Sequence, residues 1–284
     1  PTHKVGERPP KGGRGCAVRL ARGSGQETLP TPALLSPFFL LRGVLYWGQK
    51  TERGSISMKL SFWGAARVVT GSCHRLTACG KNILIDCGLQ QGGDVYNGNE
   101  LFFDATAIDA VCVTHAHTDH SGRLPLLVKN GYTGPIYATR ATCDLLKIML
   151  LDSARIQESD AQWRAKRDKR SGNPITDALY TVQDAIDTLE LLVPVSYGDH
   201  VELFDGIATD WYDAGHLLGS AVIRFTVTEG SETRIVTFSG DIGNVNKPII
   251  RDPQPVPAAD YVVMESTYGN RLHETGEDVP RDLS

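Results

Sequence analysis

The residues best able to do chemistry crowd into one stretch: His115, His117, Asp119 and His120 place three imidazoles and a carboxylate within six positions. The apolar run before them, from Val111 to Val113, reads as a buried strand, and the residues after them read as a helix. His115 and His117, two apart at a strand end, project to one side. Asp119 and His120, on the turn into the helix, reach a second point nearby. Side chains of this kind at this density rarely serve packing, and the pattern predicts a two-metal site. Nitrogen and oxygen donors without a thiolate suit zinc first, with manganese or iron as alternative occupants.

Further donors stand at other strand ends. Asp86 closes the apolar strand Ile83 to Ile85 and is followed by Gly88. It reads either as a turn former or as a hydrogen-bond partner that orients a ligating histidine. His216, after Asp213-Ala-Gly, and Asp241, after Ser239-Gly, each sit beside glycine, where backbone can approach a site closely. Singly, either residue could cap or turn the chain. Together with the cluster they supply a third nitrogen for one ion and an oxygen able to bridge both.

The elements that must hold these residues follow from periodicity. Residues 58–63 and 66–78 read as strands, with a turn at 79–82, and 135–138 and 191–195 as two more. Helices are predicted over 124–129, from Thr139 to about Lys166, and over 181–189. The long one carries Leu145, Ile148, Met149, Ala154 and Ile156 at helical spacing, with Thr139 placed to cap it. Its far end, with Arg164, Lys166, Arg167, Lys169 and Arg170, is either a solvated helix end or a surface that steers a phosphate backbone. The last third is strand-rich, at 201–204, 207–212, 221–227, 234–238 and 261–264.

Over 284 residues, 41% hydrophobic and 22% charged residues make an ordinary globular balance. The most apolar stretch, Ala33 to Trp47, is interrupted by Ser36, Pro37 and Arg42 and falls short of the roughly 20 residues a membrane helix needs. No cleavage site follows it, so neither a membrane span nor a secretory signal is expected. The six cysteines (Cys16, Cys73, Cys79, Cys87, Cys112 and Cys143) form no CxxC pair and read as reduced thiols, which fits a cytoplasmic protein. Residues 1–57 carry nine Lys and Arg against three Asp and Glu, whereas the remainder has 20 against 30, a net −10. That shift marks a boundary at Met58, behind a leader read as disordered, or alternatively as an arm for nucleic acid. The chain does not begin with Met, and Met58 directly precedes the first good strand, so translation starting there is a further reading.

The order Asp86, His115-x-His117-x-Asp119-His120, His216, Asp241 resembles the metallo-β-lactamase fold, an α/β αββα sandwich with its ligands on loops at one edge. Gly64 to Ser72 (GAARVVTGS), Leu84 to Gly88 with Gln91 and Gly92, Gly122 to Pro125 (GRLP) and Glu265 to Gly269 (ESTYG) resemble its β-CASP branch of RNA-cleaving enzymes, the bacterial and archaeal members most of all. Val68 stands where that pattern leads one to expect an acid. The resemblance runs from Met58 to about His273. It implies two divalent ions, one held by His115, His117 and His216 and the other by Asp119 and His120, with Asp241 bridging. It implies that a hydroxide between the ions attacks an RNA phosphodiester, single-stranded RNA being the expected substrate. Glu265 would orient a downstream histidine that protonates the leaving oxygen. That histidine and a final histidine ligand are not in the sequence, so residues 58–265 are expected to form the metal-binding domain and 266–284 the start of a truncated β-CASP domain, with weak activity. A homodimer stays open. The competing readings are a small-molecule hydrolase of the same fold and a non-catalytic RNA-binding relative.

Overall fold

A computed structural model describes residues 43–47, 58–95, 99–171, 177–267 and 269. Seven strands, β1 (Gly43–Trp47), β2 (Met58–Phe62), β3 (His74–Ala78), β4 (Lys81–Ile85), β5 (Ala110–Cys112), β6 (Ile136–Thr139) and β7 (Leu192–Val195), form one sheet in chain order. Its first four strands are antiparallel and the last four parallel. A second sheet has the order β12 (Tyr261–Val263), β11 (Glu232–Phe238), β10 (Ala221–Glu229), β9 (Ile207–Asp213), β8 (His200–Phe204). It is antiparallel apart from β12 against β11.

The two sheets face one another across Leu60, Phe62, Leu76, Ile83, Trp211 and Phe225. Each fully buried side chain of this kind contributes roughly 1.5–3 kcal/mol. The other face of the seven-stranded sheet, with Leu84, Val111 and Ile136, lies under helices α2 (Leu124–Lys129), α3 (Arg140–Ser171) and α4 (Val182–Glu190). Strands β4 and β5 are therefore covered on both faces, which is why they read as unbroken apolar runs rather than alternating ones. In β10, by contrast, Phe225 and Val227 are buried while Arg224, Thr226 and Thr228 turn outward. The helical layer expected outside that sheet is not among the described residues. Among those residues no helix is long and apolar enough to cross a membrane.

Several expectations are revised. Only His74–Ala78 of the stretch 66–78 is a strand; the chain before it loops, with left-handed backbone at Ala65 (φ 47°), Arg67 (φ 66°) and Gly71 (φ 84°). Gly64 closes this loop, since a Cβ there would lie 1.8 Å from the Gly71 carbonyl oxygen. Strand β1 falls inside the stretch read as a disordered leader. It pairs antiparallel with β2 over all five residues, and Val44, Tyr46 and Trp47 are good strand formers in a segment too short to show a period. Helix α3 buries Cys143, Leu146, Leu150 and Ala154, whereas Ile148 and Ile156 point outward. The five cysteines among the described residues are free thiols, four of them buried and Cys79 half-buried; Cys16 lies outside those residues.

Candidate metal centre

Every functional side chain here leaves the end of a strand. After β5 the chain runs through Thr114 and the buried His115 into α1 (Thr118–Ser121), a single turn that begins after His117 and carries Asp119 and His120. The loop after β4 braces that turn: the N–H groups of Cys87 and Leu89 donate to the carbonyls of His120 and Thr118, both at 2.8 Å. Gly88 is required, because a Cβ there would sit 1.6 Å from the carbonyl oxygen of Asp119. On the facing sheet, His216 follows β9 and Asp241 follows β11. Their loops are buttoned together by Gly243 N–H donating to Ala214 O at 2.9 Å.

The ligand atoms converge as two sets. His115 Nε2 lies 3.0 Å from His117 Nδ1, which lies 3.3 Å from His216 Nε2. These three nitrogens and an oxygen of Asp241 all fall within 4.8 Å of one another. A tetrahedral zinc with bonds of about 2.0–2.1 Å needs donors roughly 3.3 Å apart, so this set fits. Asp241 divides its carboxylate. Its Oδ2 is 3.6 Å from His216 Nε2 and 3.8 Å from His115 Nε2, while its Oδ1 is 3.3 Å from His120 Nε2. His120 Nε2 in turn is 4.0 Å from Asp119 Oδ2. The second set thus holds one imidazole and two carboxylates.

Behind the donors, Asp86 is fully buried and collects hydrogen bonds from His120 Nδ1 (2.7 Å), Thr114 N (2.8 Å), Thr114 Oγ1 (3.0 Å) and Ser72 Oγ (3.0 Å). The bond to His120 Nδ1 leaves Nε2 aimed at the second set, while the left-handed backbone of Asp86 (φ 59°) also turns the chain, so the residue has the geometry of both readings. Burial, helped by the neighbouring charges of His120, His117 and His216, pushes the pKa of His115 well down and keeps its ring neutral. Burial acts the same way on His216. At His120 burial also opposes the proton, but the charges and hydrogen bonds of Asp86 and Asp241 outweigh it and raise the pKa. Burial would raise the Asp241 carboxyl, yet the His120 hydrogen bond and the surrounding imidazoles hold it below its usual range. Neutral His115 and His216 and an ionised Asp241 are the forms a divalent cation requires, whereas at His120 a cation would have to displace the proton that Asp86 and Asp241 favour.

The profile of the Metallo-beta-lactamase superfamily matches residues 66–262. The chain belongs to this superfamily. This superfamily member is 39% identical over 227 residues to Ribonuclease TTHA0252 of Thermus thermophilus, covering 80% of this chain and 47% of that protein. It is 34% identical over 233 residues to Transcription termination factor FttA of Methanosarcina mazei, covering 78% and 34%. The chain therefore spans about half and about a third of the length of these relatives. The solved Rm3 metallo-beta-lactamase aligns with a TM-score of 0.40 at 16% identity, over 67% of this chain and 62% of that one.

Of the residues singled out in the sequence, His115, His117, His216 and Asp241 meet in the first set, and His120 and Asp119 lie on its far side. Glu265 stands on the wall of the adjoining cavity of about 50 Å³, which Asp119, Asp241 and His74 also line. Its Oε1 accepts from Ile242 N at 2.8 Å. Thr114 and Ser72, which fix Asp86, were not foreseen. The position of Thr114, directly before a candidate ligand, was the available signal. His74 was missed too: it is 8% exposed, stacked on Phe238, and among the described residues its Nδ1 has no hydrogen-bond partner.

Proposed function

We propose that this chain is a β-CASP-branch metallohydrolase that cleaves RNA phosphodiester bonds, single-stranded RNA first, in the cytoplasm, with two divalent ions, zinc foremost. The observation that carries the reading is the divided carboxylate of Asp241, which faces three imidazoles with one oxygen and His120 with the other. The likeness to proteins named as a ribonuclease and a transcription termination factor supports RNA as the polymer.

In this reading His115, His117 and His216 would hold one ion and Asp119 and His120 the other, with Asp241 facing both. Such ions, when bound, would supply a lowered pKa for water and an offset for negative charge on phosphorus. The chain's own residues do the rest. Asp86 fixes the tautomer and direction of His120, and Thr114 and Ser72 fix Asp86. Glu265, pinned by Ile242 N at the cavity wall, is placed to orient a proton donor for the leaving oxygen. A proton donor at the leaving oxygen is typically worth about 100- to 10,000-fold in rate. An activated phosphodiester, whose leaving group needs no proton, is therefore expected to turn over faster than RNA.

The test compares the zinc-loaded protein with Asp119→Ala on an activated phosphodiester and on single-stranded RNA. Phosphodiester hydrolysis that disappears in Asp119→Ala is the expected result. Hydrolysis of a thioester or lactam with no phosphodiester turnover would overturn the proposal in favour of a small-molecule enzyme.

A further inference from the structure

The segment that follows Asp241 has features the proposed chemistry does not use. From Ile242 to Arg251 it reads IGNVNKPIIR: no acid, two cations, in a chain of net charge −4. Both ends are tied to the loop that carries His216. Gly243 N–H donates to Ala214 O at 2.9 Å. Gln254 N–H donates to Asp213 O at 2.9 Å, and Gln254 Oε1 accepts from Asp213 N at 2.8 Å. At Gly243 a Cβ would lie 1.6 Å from Gly215 O, so the two loops are in backbone contact. Across the tip, Asn246 N–H donates to Asp252 Oδ1 at 2.6 Å.

A tip so anchored displays what a free surface normally hides. Val245 is 60% and Ile249 fully exposed. Ile249 also has left-handed backbone, φ 75°, a conformation that β-branched side chains avoid. Exposed apolar groups held in unfavourable backbone beside a reactive centre are a mark of a binding element. Lys247 lies on the same anchored segment, between the ties that Gly243 and Gln254 make to the His216 loop.

We infer that the Ile242–Arg251 finger is the part of this chain that grips the substrate strand beside the scissile phosphate: Ile249 packs against a base and Lys247 pairs with a flanking phosphate. This rests on the RNA reading proposed above. The occupant is a polyanion because the finger's own charges, Lys247 and Arg251, are both cationic, while the flanking Asp252 carboxylate is engaged by Asn246 N, in a chain of net charge −4. It is a single strand because a base must be unstacked for its face to meet Ile249.

The test measures binding of a fluorescein-labelled oligouridylate to the full 284-residue protein by anisotropy across a salt series. The variants are Ile249→Gly, Lys247→Gln and, as a control on the outer face of α3, Ile148→Ala. Ile249→Gly is expected to weaken binding about fivefold or more. Its thermal midpoint should stay level or rise, since glycine relaxes the left-handed backbone, whereas a merely structural Ile249 would lower it. Lys247→Gln is expected to reduce the log–log salt slope by about 0.7, and Ile148→Ala to bind as wild type. RNA binding by the wild type that both finger variants retain in full would overturn the inference and leave the RNA reading standing. Absence of RNA binding in the wild type would overturn both. Loss of a dimer in Ile249→Gly, seen by sedimentation with RNA binding intact, would assign the finger to a second copy of the chain instead.

Discussion

Asp241 and Asp86 do different work with the same functional group. The half-buried Asp241 shares its two oxygens between two donor sets; the fully buried Asp86 spends its own on orienting His120. If the three imidazoles of the first set hold an ion, His117→Ala should lose zinc by elemental analysis. His200→Ala, where an exposed ring bonds Asp210 at 2.7 Å, should keep it. Equal loss in both variants would show that the ligands are misassigned. His74 supports a pH prediction. Burial lowers its pKa to about 4. The unfolded chain takes up that proton near pH 6.5. Stability is then undiminished above pH 6.5 and falls as pH drops toward 4, by up to about 3 kcal/mol from this one group. His74→Phe keeps a ring against Phe238, and among the described residues Nδ1 has no partner to lose. Urea unfolding of this variant should show a flatter fall across that window. An unchanged slope would place the acid sensitivity elsewhere.

At the scale of elements, the ends of strands and helices are what deliver the ligands. Helix α3 reaches the His216 loop through its first turn: Thr139 Oγ1 and Thr142 Oγ1 donate to Gly219 O at 2.6 and 2.8 Å. Thr139 Oγ1 also accepts from Thr142 N at 3.3 Å, the capping contact its position suggested. Thr142→Val leaves a buried carbonyl with one donor fewer and should cost about 1–2 kcal/mol. It should also raise the zinc dissociation constant, since the loop that sets His216 is loosened. Chemical unfolding with a zinc titration checks both, and a stability loss with unaltered zinc affinity would uncouple α3 from the site. Strand β1 gives another test. Its ladder to β2 predicts slow amide hydrogen exchange within Gly43–Trp47. Fast exchange at all five residues would return the ordered boundary to Met58.

For the whole molecule, the two sheets close on one another and bring the loops of one edge together. The resulting site is lopsided: three imidazoles and Asp241 on one side, His120 with Asp119 and Asp241 on the other. Metal should therefore bind in two steps of unequal affinity, the first the tighter, in a calorimetric titration of chelator-treated protein. His120→Ala should remove the weaker step alone, and two indistinguishable steps would speak against this division. Ion binding to the native state also stabilises the fold, by about 2.7 kcal/mol at a concentration 100 times the dissociation constant. The melting temperature should rise with zinc accordingly.

What the sequence determined by itself is local. The crowding of His115, His117, Asp119 and His120 depends on spacing within a few residues, and the helices and buried strands depend on side-chain period, both legible without a fold. His216 and Asp241 showed as single donors beside glycine at strand ends, and the resemblance to a family then gave them their places in the ligand set. Tertiary structure decided what depends on partners distant in the chain. His216 stands 99 positions from His117 and touches it only because β9 and β5 lie in facing sheets. That Asp86 meets His120, 34 positions away, is likewise visible only in the fold. The apolar residues between Ala66 and Cys73 looked like a strand, but Gly64 packing on Gly71 bends them into a loop. Ile148 and Ile156 fit a helical period and still face outward, because only the packing of α3 on the sheet selects which face is buried. Periodicity is a property of a segment, whereas burial, register and ligand geometry belong to pairs of segments, and those pairs exist only once the chain has folded.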